Sequence, residues 1–203
     1  MKRKLIIFFA IFMLVTCGVF AQTATHTVQR GDSMWKIAVK YQVGISELIA
    51  ANPQIKNPSL IYPGQKISIP NIDVKAQESE VVRLVNAERA KRGLPALKEN
   101  WQLSRVARYK SQDMINRSYF SHTSPTYGSP FKMMESFGLR YSAAGENIAK
   151  GQRTPQEVMN SWMNSAGHRN NILSPIYTEI GVGLARSKTG VAYWTQMFIK
   201  PTS

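Results

Sequence analysis

The chain has 203 residues, enough for one domain or two small ones. Hydrophobic residues make up 43% and charged residues 19%, which excludes a largely disordered chain, and the one uninterrupted apolar run sits at the N-terminus, which argues against a membrane-embedded protein. The 26 Lys and Arg against 12 Asp and Glu give a net charge of +14, and the single cysteine excludes an internal disulfide.

Lys2, Arg3 and Lys4 precede the apolar run Leu5 to Val15, and Val19 and Ala21 are small residues at −3 and −1 of a cut after Ala21. Basic start, short apolar run and small-residue cleavage site predict a secretory signal peptide over 1–21. The run is too short for a comfortable transmembrane helix, which needs about 20 residues. Two alternatives stay open: an uncleaved anchor, and lipidation at Cys17 behind Leu14-Val15-Thr16. Cleavage after Ala21 removes the thiol and leaves 23 basic against 12 acidic residues. An exported chain without disulfides is held by its core alone. Its basic balance points to polyanions outside a cell, such as anionic wall polymers. Export and the lack of any nucleic-acid motif argue against nucleic acid.

Two units follow, 25–70 and 79–201, joined by the polar segment 71–78, which reads as a linker. Residues 22–70 carry five basic and two acidic side chains, and 79–203 carry seventeen and eight. In the first unit, His26-Thr27-Val28 is β-prone. Asp32 or Ser33 can cap a helix whose Met34, Ile37, Ala38 and Tyr41 share one face. Trp35, inside that helix, reads as core. Ile45, Leu48 and Ile49 begin a second helix that Asn52-Pro53 ends. Tyr62-Pro63-Gly64 is a turn, and Lys66 to Ile69 alternates as a strand. The order is β-α-α-β.

These residues, HTVQRGDSMWKIAVKYQVGISELIAANP and then NPSLIYPGQKISIP, resemble a LysM module over its whole length. The resemblance implies binding to N-acetylglucosamine polymers, peptidoglycan or chitin-like, through two loops. The matching positions are Gly31, Asp32, Ser33 and Met34 in one, and Ser59, Leu60, Ile61 and Tyr62 in the other. Amides and short polar side chains suit acetamido groups, and an apolar wall suits a pyranose face. Helix capping by Asp32 and Ser33 and turn filling by Tyr62 account for the same residues in structural terms.

In the second unit, Ser79 can cap a helix with Val82, Leu84 and Val85 that ends at Gly93. Asn100 can cap another, with Leu103, Val106, Ala107 and Met114 on one face. Ser129-Pro130 starts a third over 131–137. Thr154-Pro155-Gln156-Glu157 is a capping box opening a fourth, with Val158, Ser161 and Trp162 on one side. Ile180 to Ala185 and Val191 to Phe198 read as strands of a hairpin turning at Ser187 to Gly190. Helices first and a hairpin last predict an α+β unit, helices packed on an antiparallel sheet.

Five segments, VVRLVNAERAKRGLPALKENWQLSRVARYKSQDM, YFSHTSP, GENIAKG, VMNSWMNSAGHRNNILSPIYTEIGVGLA and YWTQMF, resemble the bacterial, SCP-like branch of the CAP superfamily. The resemblance covers nearly all of 79–199 and implies an α-β-α sandwich. Family members gather two His and two acids in a central cleft. The matching residues are His122, Glu146, His168 and Glu179, each expected where the chain turns or a strand begins. Two imidazoles and carboxylates can hold a divalent metal such as zinc, do acid–base work, or tie sheet to helices as a hydrogen-bonded network. Spacing alone does not choose among them. No Gly-x-Ser-x-Gly elbow exists and the mature chain has no Cys, so no catalytic nucleophile is evident.

Together these features lead to an exported, wall-associated protein in which a LysM module tethers a non-catalytic CAP domain. A metal-dependent hydrolase and a structural component of a cell or spore envelope remain as alternatives. The sequence does not name the CAP ligand or the oligomeric state.

Overall fold

A computed structural model describes residues 24–70 and 72–202. The expected signal peptide and Cys17 lie outside the described residues.

In the first module, β1 (Ala24–Thr27) and β2 (Lys66–Ile69) pair antiparallel around α1 (Met34–Tyr41) and α2 (Ile45–Ala50). Ser33 caps α1, its hydroxyl accepting from the Lys36 amide at 3.2 Å. Asp32 instead accepts from His26 Nε2 and the Gln29 amide, both at 2.8 Å. Met34, Ile37 and Ala38 enter a core with Leu48, Ile67 and Ile69. That face leaves Trp35 outward, 64% exposed, so it is not a core residue. The reason is helical geometry: residue 35 sits about 100° around from residue 34, off the stripe it was read into. Buried Asn52 ties α2 to β2, donating to Leu48 O and Ser68 O and accepting from the Ser68 amide.

The second module opens with α3 (Ile72–Ala90), which starts seven residues ahead of Ser79, the expected cap. The segment 72–78 lacks Gly and Pro, is rich in good helix formers, and is helical. Its Glu78 is buried, holding Arg108 at 3.0 Å and the Leu184 amide at 2.9 Å. Its Lys75 donates to Tyr41 O of the first module at 2.5 Å.

The other elements are β3 (Lys98–Glu99), α4 (Trp101–Asn116), α5 (Pro130–Ser136), β4 (Tyr141–Lys150), α6 (Pro155–Asn164), α7 (Ala166–Leu173), β5 (Glu179–Arg186) and β6 (Ala192–Pro201). Asn100, Ser129 and Thr154 cap α4, α5 and α6, and Pro130 and Pro155 open the last two, as their sequences indicate. In α6 the buried side is Val158, Met159 and Trp162, while Ser161 is exposed. The sheet runs β3-β5-β6-β4, antiparallel except for the short parallel pair β3–β5.

The sheet is covered on both faces, an α-β-α sandwich. Val81, Val85, Val158, Trp162 and Ile172 from α3, α6 and α7 pack with Val182, Trp194 and Phe198 on one side. On the other, α4 lies directly on β5, because Gly181 and Gly183 have no side chain between the backbones. A Cβ on Gly183 would collide with backbone atoms of Ala107 and Arg108. This contact fixes α4, and α4 carries the supports of the cleft described next.

Candidate functional site

In the first module, Val28 exchanges backbone bonds with residues on the way into β2: its amide donates to Gln65 O, and Gly64 N–H donates to Val28 O. The pairing sets the loop after β1 beside the loop before β2. These are the loops that hold the two expected sugar-reading segments, 31–34 and 59–62. Leu60 and Tyr62 stand out from the surface at 51% and 56% exposure. Gly31 turns the chain at φ +90° and Ser59 is exposed. Ile61 is half-buried against the core. Met34 is buried there, so it offers a ligand only its backbone. Asp32 is committed to His26 and Gln29, whose hydrogen bonds, the Gln29 amide first, hold its carboxyl below the usual range.

In the second module, a cleft of about 420 Å³ opens at the free edge of β4. His122, Phe131, Gly145, Glu146, Asn171 and Tyr177 are among its walls. Glu146 does not lie in a turn; it is mid-strand in β4, opposite Met197 of β6. Its neighbour Gly145, which looks like a turn signal, instead makes room for the Tyr177 hydroxyl, 2.6 Å from where a Cβ would sit. His168 is likewise not in a turn but in the first turn of α7.

His122 comes from the loop after α4, and its Nδ1 lies 2.8 Å from Glu146 Oε1. The imidazole is half-exposed, while the Glu146 carboxylate is almost wholly buried. Burial pushes the Glu146 carboxyl up, against the opposing pull of the His122 hydrogen bond and the Lys110 charge. Its second oxygen, Oε2, is buried without a hydrogen-bond partner among the described residues. An unmatched buried carboxylate oxygen is costly, and at the wall of a cleft it marks where a ligand can bind.

The pair is braced from α4. Fully buried Lys110 donates to His122 O at 2.6 Å, and burial lowers its own pKa despite the nearby Glu146 and Asp113. Asp113 accepts from the hydroxyls of Tyr119, Ser124 and Thr126, all at 2.7 Å. Burial raises the Asp113 carboxyl, but those donors outweigh it and leave the group below its usual value. Lys110 and Asp113 thus fix the His122 loop. Neither was expected as a site residue: their place on the inner face of α4 is visible in the helical period, but their partners are remote in sequence.

From α7, the Asn171 amide donates to Glu146 O and to Asn147 Oδ1, and Asn147 donates to His168 O and Gln196. Burial, and then the His122 charge, lower the His168 pKa. Glu179 does not join them. It accepts from Asn100 Nδ2 at 2.6 Å, at the start of α4. Lys110 lies ten residues further along that helix, about 15 Å at 1.5 Å per residue. Among the described residues no three His, Cys, Asp or Glu gather as metal ligands. The four expected residues are not brought together as one set among the described residues. The sequence-based error was to read Glu179, at the start of β5, as facing the cleft, when β5 and β4 are separated by β6.

A family model for cysteine-rich secretory proteins, CAP, matches residues 82–198, and one for the LysM domain matches 26–70. The chain belongs to the CAP family, with a LysM domain ahead of the CAP domain. It is 60% identical over 126 residues to YkwD of Bacillus subtilis (strain 168), covering 62% of this chain and 48% of that protein. It is 46% identical over 56 residues to the probable autolysin SsaALP of Staphylococcus aureus (strain NCTC 8325 / PS 47), covering 27% and 20%. Among solved structures, an extracellular protein containing a SCP domain from Bacillus anthracis str. Ames superposes with a TM-score of 0.60 at 31% identity, over 68% of this chain and 47% of that one. The chain spans about half the length of YkwD.

Proposed function

We propose that this is an exported, wall-associated protein whose LysM domain grips peptidoglycan through 31–34 and 59–62, while its CAP domain presents a ligand cleft at the envelope. The observation that carries the reading is the pair of adjacent loops with Leu60 and Tyr62 exposed beside backbone amides and short polar groups. Solitary exposed apolar residues are ordinary on protein surfaces, but two on one loop, two positions apart, suit the apolar face of a sugar ring. The match to a probable autolysin is in keeping with work at the wall.

In the CAP cleft the chemistry supports binding. His122 and Glu146 form a braced pair with one unmatched carboxylate oxygen, suited to a hydrogen-bonding ligand. Removal of residues 1–21 on export belongs to the same proposal.

Co-sedimentation with purified peptidoglycan tests the tether. The chain should pellet with it, soluble N-acetylglucosamine oligomers should compete, and high salt should leave most of the binding, since screening acts on the electrostatic part alone. Combined Leu60→Ala and Tyr62→Ala should weaken binding by about tenfold or more, the equivalent of roughly 1.4 kcal/mol. Binding that oligomers do not touch and that salt abolishes would refute the reading.

A further inference from the structure

A second groove, of about 430 Å³, lies where the β5–β6 hairpin meets the end of α4. It is distinct from the His122 cleft: Lys150 on its wall is four residues along β4 from Glu146, about 13 Å. Phe120 is 47% exposed and Val191 37%, and Phe120 meets the Tyr193 ring edge-on, centroids 6.5 Å apart. Lys150 Nζ sits 5.0 Å from the centre of the Tyr193 ring. Ser118, Ser187 and Thr189 add hydroxyls, and among the described residues no Asp or Glu lines the groove. Arg117 and Lys188 flank it in sequence.

Ser118 is the telling residue. Four helices end alike, with one residue at positive φ and the next amide reaching back five residues. After α3 and α5 that residue is Gly93 or Gly138, at φ +69° and +82°. Leu94 N–H then donates to Arg89 O, and Leu139 N–H to Met134 O. Glycine is the unstrained choice there. After α1 it is Gln42, φ +53°, whose side chain accepts from Lys75. After α4 it is Ser118, φ +54°, with Tyr119 N–H donating to Met114 O. Its hydroxyl has no hydrogen-bond partner among the described residues. Ser118 thus holds a conformation that favours glycine, with its exposed hydroxyl free to meet a ligand.

We infer that this groove is a second peptidoglycan site, on the CAP domain, for a pyranose of the glycan strand together with a free carboxylate of the peptide attached to it. Phe120 and Val191 supply the surface for a sugar face, Ser118 a hydrogen bond to a ring hydroxyl, and Lys150 the countercharge to the carboxylate. Acyclic polyol phosphates, though anionic, offer no ring face to the aromatic wall. The inference rests on the reading that the protein works on peptidoglycan. Two grips on one polymer raise its avidity by roughly 10²–10⁴ over either alone when the geometry allows both.

The test uses the full chain and peptidoglycan stripped of teichoic acid, with thermal melting recorded for every variant. Phe120→Ala and Lys150→Gln should each weaken binding by about tenfold with little change in melting temperature, a small part of that avidity. Ser118→Gly should melt at the same or a higher temperature and yet bind more weakly, a split that a purely structural serine cannot give. Amidating the carboxylates of the peptidoglycan should remove the effect of Lys150→Gln. Unchanged binding by Phe120→Ala and Lys150→Gln, while Leu60→Ala with Tyr62→Ala still weakens it, would overturn the groove and leave the LysM reading standing. An unmutated chain that fails to bind would overturn both. A Lys150→Gln defect that persists in full on amidated peptidoglycan would overturn the carboxylate.

Discussion

Glu78 is a carboxylate forced into the interior at the start of α3. Burial raises its pKa from 4.5 to about 7, against the pull of Arg108 and the Leu184 amide. Between those two values the folded chain holds a proton that the unfolded chain has released. Stability is therefore fully present below pH 4.5 and falls as pH rises through about 7. Glu78→Gln does not titrate, so its stability relative to the natural protein should improve by about 3 kcal/mol from pH 4.5 to 8. Urea unfolding across that range measures it, and a flat difference would contradict the buried charge. Asp113→Asn tests the brace of the His122 loop. An amide replaces one acceptor oxygen by a donor facing hydroxyls, so we expect a loss of about 1–3 kcal/mol. The resonances of residues 118–126 should broaden or shift with it. The sequence made His122 and Glu146 legible through their motif surroundings. It did not show Lys110 and Asp113, because a lysine or aspartate on a helix reads as solvated until its partners are placed.

Where an element has a local signal, its sequence was enough. Asn100, Ser129 and Thr154 each supply a cap beside an apolar period, and the helices begin there. The hairpin was equally clear from two apolar runs around Ser187 to Gly190. Elements set by tertiary contact were not. The first two turns of α3 look polar, yet Val74 packs on the core and Glu78 is buried. β4 hides behind Gly145, and α7 has almost no apolar stripe, burying Ile172 alone. Trp35 and Glu179 show the complementary failure, in which the element was right and the direction of the side chain was wrong. The seat of α4 on β5 is the element-level feature most open to attack. Gly183→Ala puts a methyl into the backbone of α4, and we expect at least about 3 kcal/mol of destabilisation, in the range of severe packing errors. Gly190→Ala, at a hairpin turn with open space around it, should cost about 1 kcal/mol from its positive φ alone. Equal losses at the two positions, by chemical denaturation, would contradict the close approach.

At the scale of the whole molecule, α3 runs from the joint of the two domains into the CAP core. Lys75 holds Tyr41 O, and Arg108 stands between Glu78 and, at 3.6 Å, Glu47 of the LysM domain. These contacts join the LysM domain to the CAP domain, so in the proposed function a grip on the polymer brings the His122–Glu146 cleft to it. That grip is the claim on which the functional reading depends. Titration of the isotopically labelled chain with a soluble N-acetylglucosamine tetramer, followed by amide NMR, tests it most directly. Saturable shifts in the LysM domain should centre on Gly31, Asp32, Ser33 and the Ser59 to Tyr62 segment, and Leu60→Ala with Tyr62→Ala should raise the concentration that saturates them about tenfold or more. Absence of saturable shifts in those two loops, or the same saturation curve after the double substitution, would contradict it.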